Sequence, residues 1–301
     1  MFGTALLPLV SDASLAVAQS DALPWWAWPL LLFVFCFVLG IVAILAGVGG
    51  GVLYVPLVSW LFPFHLDFVR GAGLFMALAG ALTAGPRLLR NDLATLRLTL
   101  PFALVASTFS IVGALLGLGL PTHLVQLCLG ILILGVTALT IASKNTERPI
   151  VSRQDAIGRA LGLSGFYTDA ATGERIEWKT HRTWLGLLLF ALIGVIAGMF
   201  GLGAGWANVP ALNLVLGLPL KLSVGSSVFI LSVTDTSAAW IYFHRGAVLP
   251  MVAVPSVVGL MLGSLVGVRL LSVVKPKAIR YLVIGMLGLA GLRALLKGFG
   301  I

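Results

Sequence analysis

Few residues in this sequence stand where they could do chemistry away from water. Asp235 is the one acid placed within a long apolar run rather than in a loop, in the charged middle segment or near the N-terminus. An ionised carboxylate in an apolar medium is costly, so such an acid must be protonated, paired or open to water. An acid that exchanges a proton is what proton-coupled transport requires. The other reading of Asp235 is structural: a neutral acid bonded to a neighbouring hydroxyl such as Thr234 or Thr236, or one sitting at a helix end. Asn208, Ser226 and Ser227 are neutral donors suited to the oxygens of a small anion, and ordinary interhelical hydrogen bonding would use them equally well. Arg70, Arg87, Arg245 and His244 lie at the ends of apolar runs, where snorkelling to the interface is the default expectation.

The backbone supplies a second kind of chemistry. Gly47, Gly49, Gly50 and Gly51 fall in the middle of an uncharged stretch, and Gly201, Gly203 and Gly205 do the same further on. Several glycines close together break a helix. Inside a membrane a break is tolerated only where protein or a water-filled cavity satisfies its polar groups. The limb after each break begins a new helix, whose free N–H groups and positive dipole end face the gap and suit an anion. Pro56 and Pro210 follow and should keep these second limbs short or bent. The competing reading is close helix packing, which explains Gly113/Gly117 and Gly259/Gly263/Gly267, small residues four apart. The substrate-binding candidates are therefore Gly49, Gly50, Gly51, Gly203, Gly205, Asn208, Ser226 and Ser227, with Asp235 the candidate for proton coupling.

The elements that must position these residues follow from composition. Of 301 residues 59% are hydrophobic and only 10% charged, with a mean hydropathy of +1.10. A soluble domain is about a quarter charged, so this chain is a polytopic helical membrane protein, neither a disordered chain nor a disulfide scaffold. The net charge of +9 is spread over loops between apolar runs and is no nucleic-acid footprint. Cys36 and Cys128 lie inside apolar stretches and read as small buried hydrophobes. A catalytic constellation is missing: there is no His-Glu-x-x-His and no pair of membrane aspartates, and His65, His123, His181 and His244 all fall at loops or run ends. The expectation is no enzyme, no cofactor and no metal. The partners expected are the lipid bilayer and a small anion rather than nucleic acid, with a homo-oligomer left open.

From Ala22 to Phe64 and from Thr183 to Leu220 the chain carries no Asp, Glu, Lys, Arg or His. A crossing takes about 20 residues, so each stretch is long enough for two limbs. Residues 144–182 hold seven of the 19 bases and five of the ten acids, and belong in water. Within them Phe166–Trp178, centred on Thr172-Gly173-Glu174, reads as a small β-hairpin or a plain solvated loop. The organisation expected is an external lead-in over 1–24, a membrane repeat over 25–143, a cytoplasmic linker over 144–182 and a second repeat over 183–301. The lead-in carries an Ala-Val-Ala sequence but no basic region before it, which argues against a cleaved signal.

The repeat shows in Gly47-Val-Gly-Gly-Gly-Val-Leu-Tyr-Val-Pro56 against Gly201-Leu-Gly-Ala-Gly-Trp-Ala-Asn-Val-Pro210, and the same offset matches Gly71 with Gly225, Phe75 with Phe229 and Pro101 with Pro255. With five membrane elements per half, only Arg70, Arg245, Arg293 and Lys297 fall outside and the other fifteen bases fall inside. With four per half, the basic loop Arg269–Arg280 lands on the wrong side. An odd count inverts the second half relative to the first. The fold class expected is thus an all-α polytopic membrane protein of two inverted repeats, each with a glycine-broken segment, about eight to ten membrane elements in all.

The duplicated glycine cluster followed by proline, then a Ser-Ser-containing helix in the second half (Ser226-Ser227), resembles the sulfite exporter TauE/SafE family over essentially the whole chain apart from the lead-in and linker. The first motif fits well. The second departs from it, with Ala204 inside the cluster and Trp206 and Asn208 after it, and the linker looks longer than is usual for the family. The resemblance implies a secondary transporter of sulfite, sulfonates or related sulfur-containing anions across the inner membrane, coupled to an ion gradient. A carrier of another small organic solute, such as a carboxylate, or an uncoupled facilitator is the alternative.

Overall fold

The computed structural model describes residues 24, 26–46, 50–90, 95–142, 154–168, 175–203, 205–270 and 276–299. Before the linker come α1 (Ala27–Ala46), α2 (Gly50–Leu61), α3 (Leu66–Arg90), α4 (Leu96–Gly119) and α5 (Thr122–Ala142). The linker contributes α6 (Ala156–Ala160) and strands β1 (Ser164–Thr168) and β2 (Arg175–Lys179). After it come α7 (Thr183–Phe200), α8 (Gly205–Pro210) running into a π-helical turn Ala211–Val215, α9 (Leu220–His244), α10 (Pro250–Leu270) and α11 (Pro276–Gly298). Among the described residues four helical stretches are long and apolar enough to cross a membrane: Leu96–Gly119, Thr183–Phe200, Leu220–His244 and Pro250–Gly267. Ala27–Ala43, Gly50–Leu61 and Thr122–Gly135 are shorter apolar stretches. The protein is a multi-pass helical membrane protein.

The second half repeats the element boundaries of the first. Helices α3 and α9 each have 25 residues, and they begin at Leu66 and Leu220, the spacing that aligns the two glycine clusters. At that spacing α1 meets α7, α2 meets α8 with its π turn, α4 meets α10 and α5 meets α11.

The chain divides into two compact units. The first holds α1, α2, the start of α3, α5, the end of α9, α10 and α11. Here α1 lies against α10 at backbone contact: a Cβ on Gly40 or Gly259 would stand 2.5 Å from the carbonyl oxygen of Leu260 or Phe33, and one on Gly263 would strike that of Phe37. The packing reading of Gly259 and Gly263 is therefore right. Tyr54 Oη and Ser256 Oγ hydrogen-bond at 3.1 Å in the interior.

The second unit holds the rest of α3, α4, the linker, α7, α8 and most of α9. Helices α4 and α7 approach equally closely, with Gly113 against the carbonyl of Val195, Gly194 against that of Ala106 and Gly198 against that of Ser110. Phe102 and Phe190 meet between them at 5.0 Å. Outward-facing Leu100, Leu104, Leu115 and Leu116 of α4 and Leu188 and Leu192 of α7 make the apolar surface a bilayer requires. Trp184 stands exposed at the start of α7, as interfacial aromatics do.

The linker folds, and of its two sequence readings the hairpin is the one formed. Strands β1 and β2 pair antiparallel, Gly165 opposite Trp178 and Phe166 opposite Glu177. The turn residues lie outside the described residues. Leu163, Tyr167 and Trp178 join the same hydrophobic cluster as Leu98, Phe102 and Phe190. Asp155 ties the segment to α7, accepting from Thr183 Oγ1 at 2.8 Å and from the Thr183 backbone N–H at 3.1 Å. A carboxylate on the first turn of a helix suits its positive dipole end.

Two expectations are corrected. Cys128 is exposed whereas Cys36 is buried. An outward face in lipid is as apolar as an interior, so an apolar neighbourhood in sequence does not separate the two. Arg70 does not snorkel: it is 1% exposed, paired with Asp67, and its guanidinium sits 5.7 Å from the centre of the Tyr242 ring.

Candidate functional site

The second-half break is built as the glycines require. Helix α7 ends at Phe200, and Gly201 caps it in the left-handed region with φ +65° while its N–H bonds the carbonyl of Ala197. Gly203 holds φ +70°, a conformation L side chains avoid. The helix resumes at Gly205. It stays α-helical only to Pro210 and then loosens into the π turn. Proline supplies no N–H and crowds the preceding turn, which favours a loosened ladder at this point.

Helix α9 lies across this break. A Cβ on Gly203 would stand 2.9 Å from Cβ of Ala77, 3.3 Å from Oδ2 of Asp235 and 3.7 Å from Cδ1 of Leu231. Gly205 faces the same Leu231 methyl, at 3.3 Å. Ser227, Leu231 and Asp235 are spaced by four and share one face of α9. The structure thus brings together Gly203, Gly205 and Asp235, with Ser227 further along the same face.

Asp235 is fully buried, and neither carboxylate oxygen has a hydrogen-bond partner among the described residues. The hydroxyls that could have held it are engaged elsewhere: Thr234 Oγ1 donates to the carbonyl of Ile230 at 2.8 Å and Thr236 Oγ1 to that of Ser232 at 2.6 Å. Asn208 is also fully buried, and its Nδ2 and Oδ1, like the Nε1 of Trp206, lack partners. Buried polar atoms without partners are uncommon, and each costs about 1–3 kcal/mol unless something satisfies it.

Not every candidate converges. Ser226 is buried with an unpartnered hydroxyl, but it precedes Asp235 by nine residues. In a helix that places it about 180° around and about 13.5 Å along the axis. Ser226 and Asp235 therefore face opposite ways. Gly50 and Gly51 belong to the first unit, where Gly50 abuts the Leu260 side chain and Gly51 is buried. Gly47 and Gly49 lie outside the described residues. His244 and Arg245 are exposed, as expected for run ends, and the side chain of Arg87 is outside the described set. The sequence reading missed the Asp67–Arg70 pair. Its signal was the three-residue spacing of opposite charges at the head of an apolar helix.

A broken helix, a buried acid and an amide without partners among the described residues, all inside apolar runs, are features of polytopic membrane transporters. The chain belongs to the sulfite exporter TauE/SafE family, a family of membrane transporters, whose profile matches residues 32–294. It is similar to the probable membrane transporter protein YunE of Bacillus subtilis, with 24% identity over 275 residues covering 89% of this chain and 97% of that one. It is also similar to the probable membrane transporter protein MJ0441 of Methanocaldococcus jannaschii, with 22% identity over 88% of this chain and 95% of the relative. No solved structure matches.

Proposed function

We propose that the protein is a secondary transporter of a small sulfur-containing anion, of the sulfite or organosulfonate class, coupled to the proton gradient across the inner membrane. The observation that carries this reading is Asp235, fully buried and unpartnered beside the helix break at Gly203. A buried carboxylate with no bonding partner is a group whose protonation can be coupled to a cycle. Backbone N–H groups at the head of α8, the Asn208 amide and the Ser227 hydroxyl are neutral donors to sulfonate oxygens, and they hold an anion without trapping it.

The membrane orientation belongs to the same proposal: two inverted halves, with the linker over 144–182 cytoplasmic. The recurrent element boundaries and the distribution of basic residues support it. The same donors would accept a carboxylate, which keeps a carboxylate carrier as the second reading.

Flux into proteoliposomes separates these readings. Sulfite, taurine, acetate and a neutral amine would each be offered with and without an imposed pH gradient. Accumulation of sulfite or taurine driven by the gradient is expected, and acetate accumulation in their place would establish the second reading. Transport of the amine alone would overturn both.

A further inference from the structure

A cleft in the first unit gathers basic side chains that the proposed transport cycle does not use. Helix α2 contributes Pro56, Ser59 and Trp60, α5 contributes Gln126 and Leu129, and α11 contributes Ala290, Arg293, Ala294 and Lys297 to a cleft of about 70 Å³. Its floor is apolar, with Leu129 and Ala290 almost fully buried. Its charged groups are both basic. Arg293 and Lys297 are four apart on one face of α11, and neither has a carboxylate partner among the described residues. Both are exposed, and like charges at that spacing repel mildly, so an anion between them is favoured. The favourable dipole at the end of α11 accounts for Lys297 in the last turn. It does not account for Arg293 more than a turn earlier, turned into the same cleft.

Gln126 is 8% exposed, and its amide has no hydrogen-bond partner among the described residues, although it lines the cleft. Arg293 lies over the Trp60 ring, 5.7 Å from its centre, a favourable cation–π contact. A planar fork, an ammonium and an amide around an apolar floor match a tetrahedral oxyanion.

We infer that this cleft binds the oxyanion group of a phosphate or sulfonate, held by Arg293 and Lys297 with Gln126 as a third donor. The chemistry has two sources. Leu289, Leu292 and Leu296 are exposed on the same helix, so a phospholipid headgroup has access from the bilayer, and a free oxyanion has access from water.

The experiment uses the full-length protein in detergent and reads its thermal midpoint. One arm titrates phosphatidylglycerol against phosphatidylcholine, the other sodium sulfate against sodium chloride at equal ionic strength. Wild type is expected to rise with phosphatidylglycerol or sulfate and not with their controls, and the arm that responds identifies the source. The response should vanish in Arg293→Gln/Lys297→Gln and persist in Arg293→Lys. Gln126→Leu keeps both cations and should weaken the response about five-fold, the equivalent of one hydrogen bond. This variant serves if the double substitution does not fold. Responses in Arg293→Gln/Lys297→Gln or Gln126→Leu equal to wild type, or none in wild type in either arm, would overturn the inference.

Discussion

Gly203 and Asp235 touch across the second-half break: a Cβ built on the glycine would lie 3.3 Å from the acid's Oδ2. A backbone position there that must be glycine is thus beside a buried acid with no bonding partner among the described residues. Local conformation and candidate chemistry meet at a single point.

The consequence for Asp235 is direct. If it carries the coupling proton, Asp235→Asn should abolish accumulation driven by a pH gradient and leave substrate-for-substrate exchange intact. The amide has nearly the same shape but cannot titrate. Exchange and gradient-driven uptake measured in the same vesicles decide it, and undiminished uptake would exclude the role.

Gly203 and Gly205 should respond differently to alanine. At Gly203 the left-handed φ costs about 1–2 kcal/mol for an L-residue, and the methyl would crowd Ala77 and Asp235. At Gly205 it meets only a terminal methyl of Leu231, at 3.3 Å, which can move aside. Gly203→Ala should therefore lower both thermal stability and transport, while Gly205→Ala stays near wild type on both. Equal behaviour of the two would show that the break is not strained.

Gly198 and Gly263 test packing rather than chemistry. A methyl at Gly198 would strike the carbonyl of Ser110, and one at Gly263 that of Phe37. Each alanine variant must push two helices apart, at about 1–3 kcal/mol, whereas Gly285→Ala and Gly288→Ala meet nothing within 4 Å. Melting curves of the four purified variants should fall into these two groups.

Asp155 fastens the linker to α7 through two hydrogen bonds to Thr183. Asp155→Ala should cost about 1–2 kcal/mol, as loss of a helix-start acceptor does, and should speed protease cleavage within the linker. The rate of linker cleavage, followed on a gel, checks this. Unchanged cleavage would mean that the Leu163, Tyr167 and Trp178 contacts alone hold the segment.

What could be read from the sequence was whatever depends on local composition. Uncharged runs of bilayer length had to become helices, because only a helix satisfies its own backbone in lipid. Gly201 and Gly203 had to end one, because little else accepts their backbone angles. The stretch from Phe166 to Trp178 read equally as hairpin or solvated loop, and its aromatic side chains meeting a core decided for the hairpin. What the tertiary structure decided was direction and partnership. Arg70 went inward to Asp67 and Tyr242 instead of out to the interface, Cys128 went outward, and Ser226 turned away from Asp235 although both are buried. Ser107 and Ser237, 130 residues apart, hydrogen-bond at 2.5 Å. The physical reason is the solvent. In water a polar face and an apolar face announce which side of a helix is buried. In a bilayer both sides are apolar, so only packing against a particular neighbour sets which way each residue points.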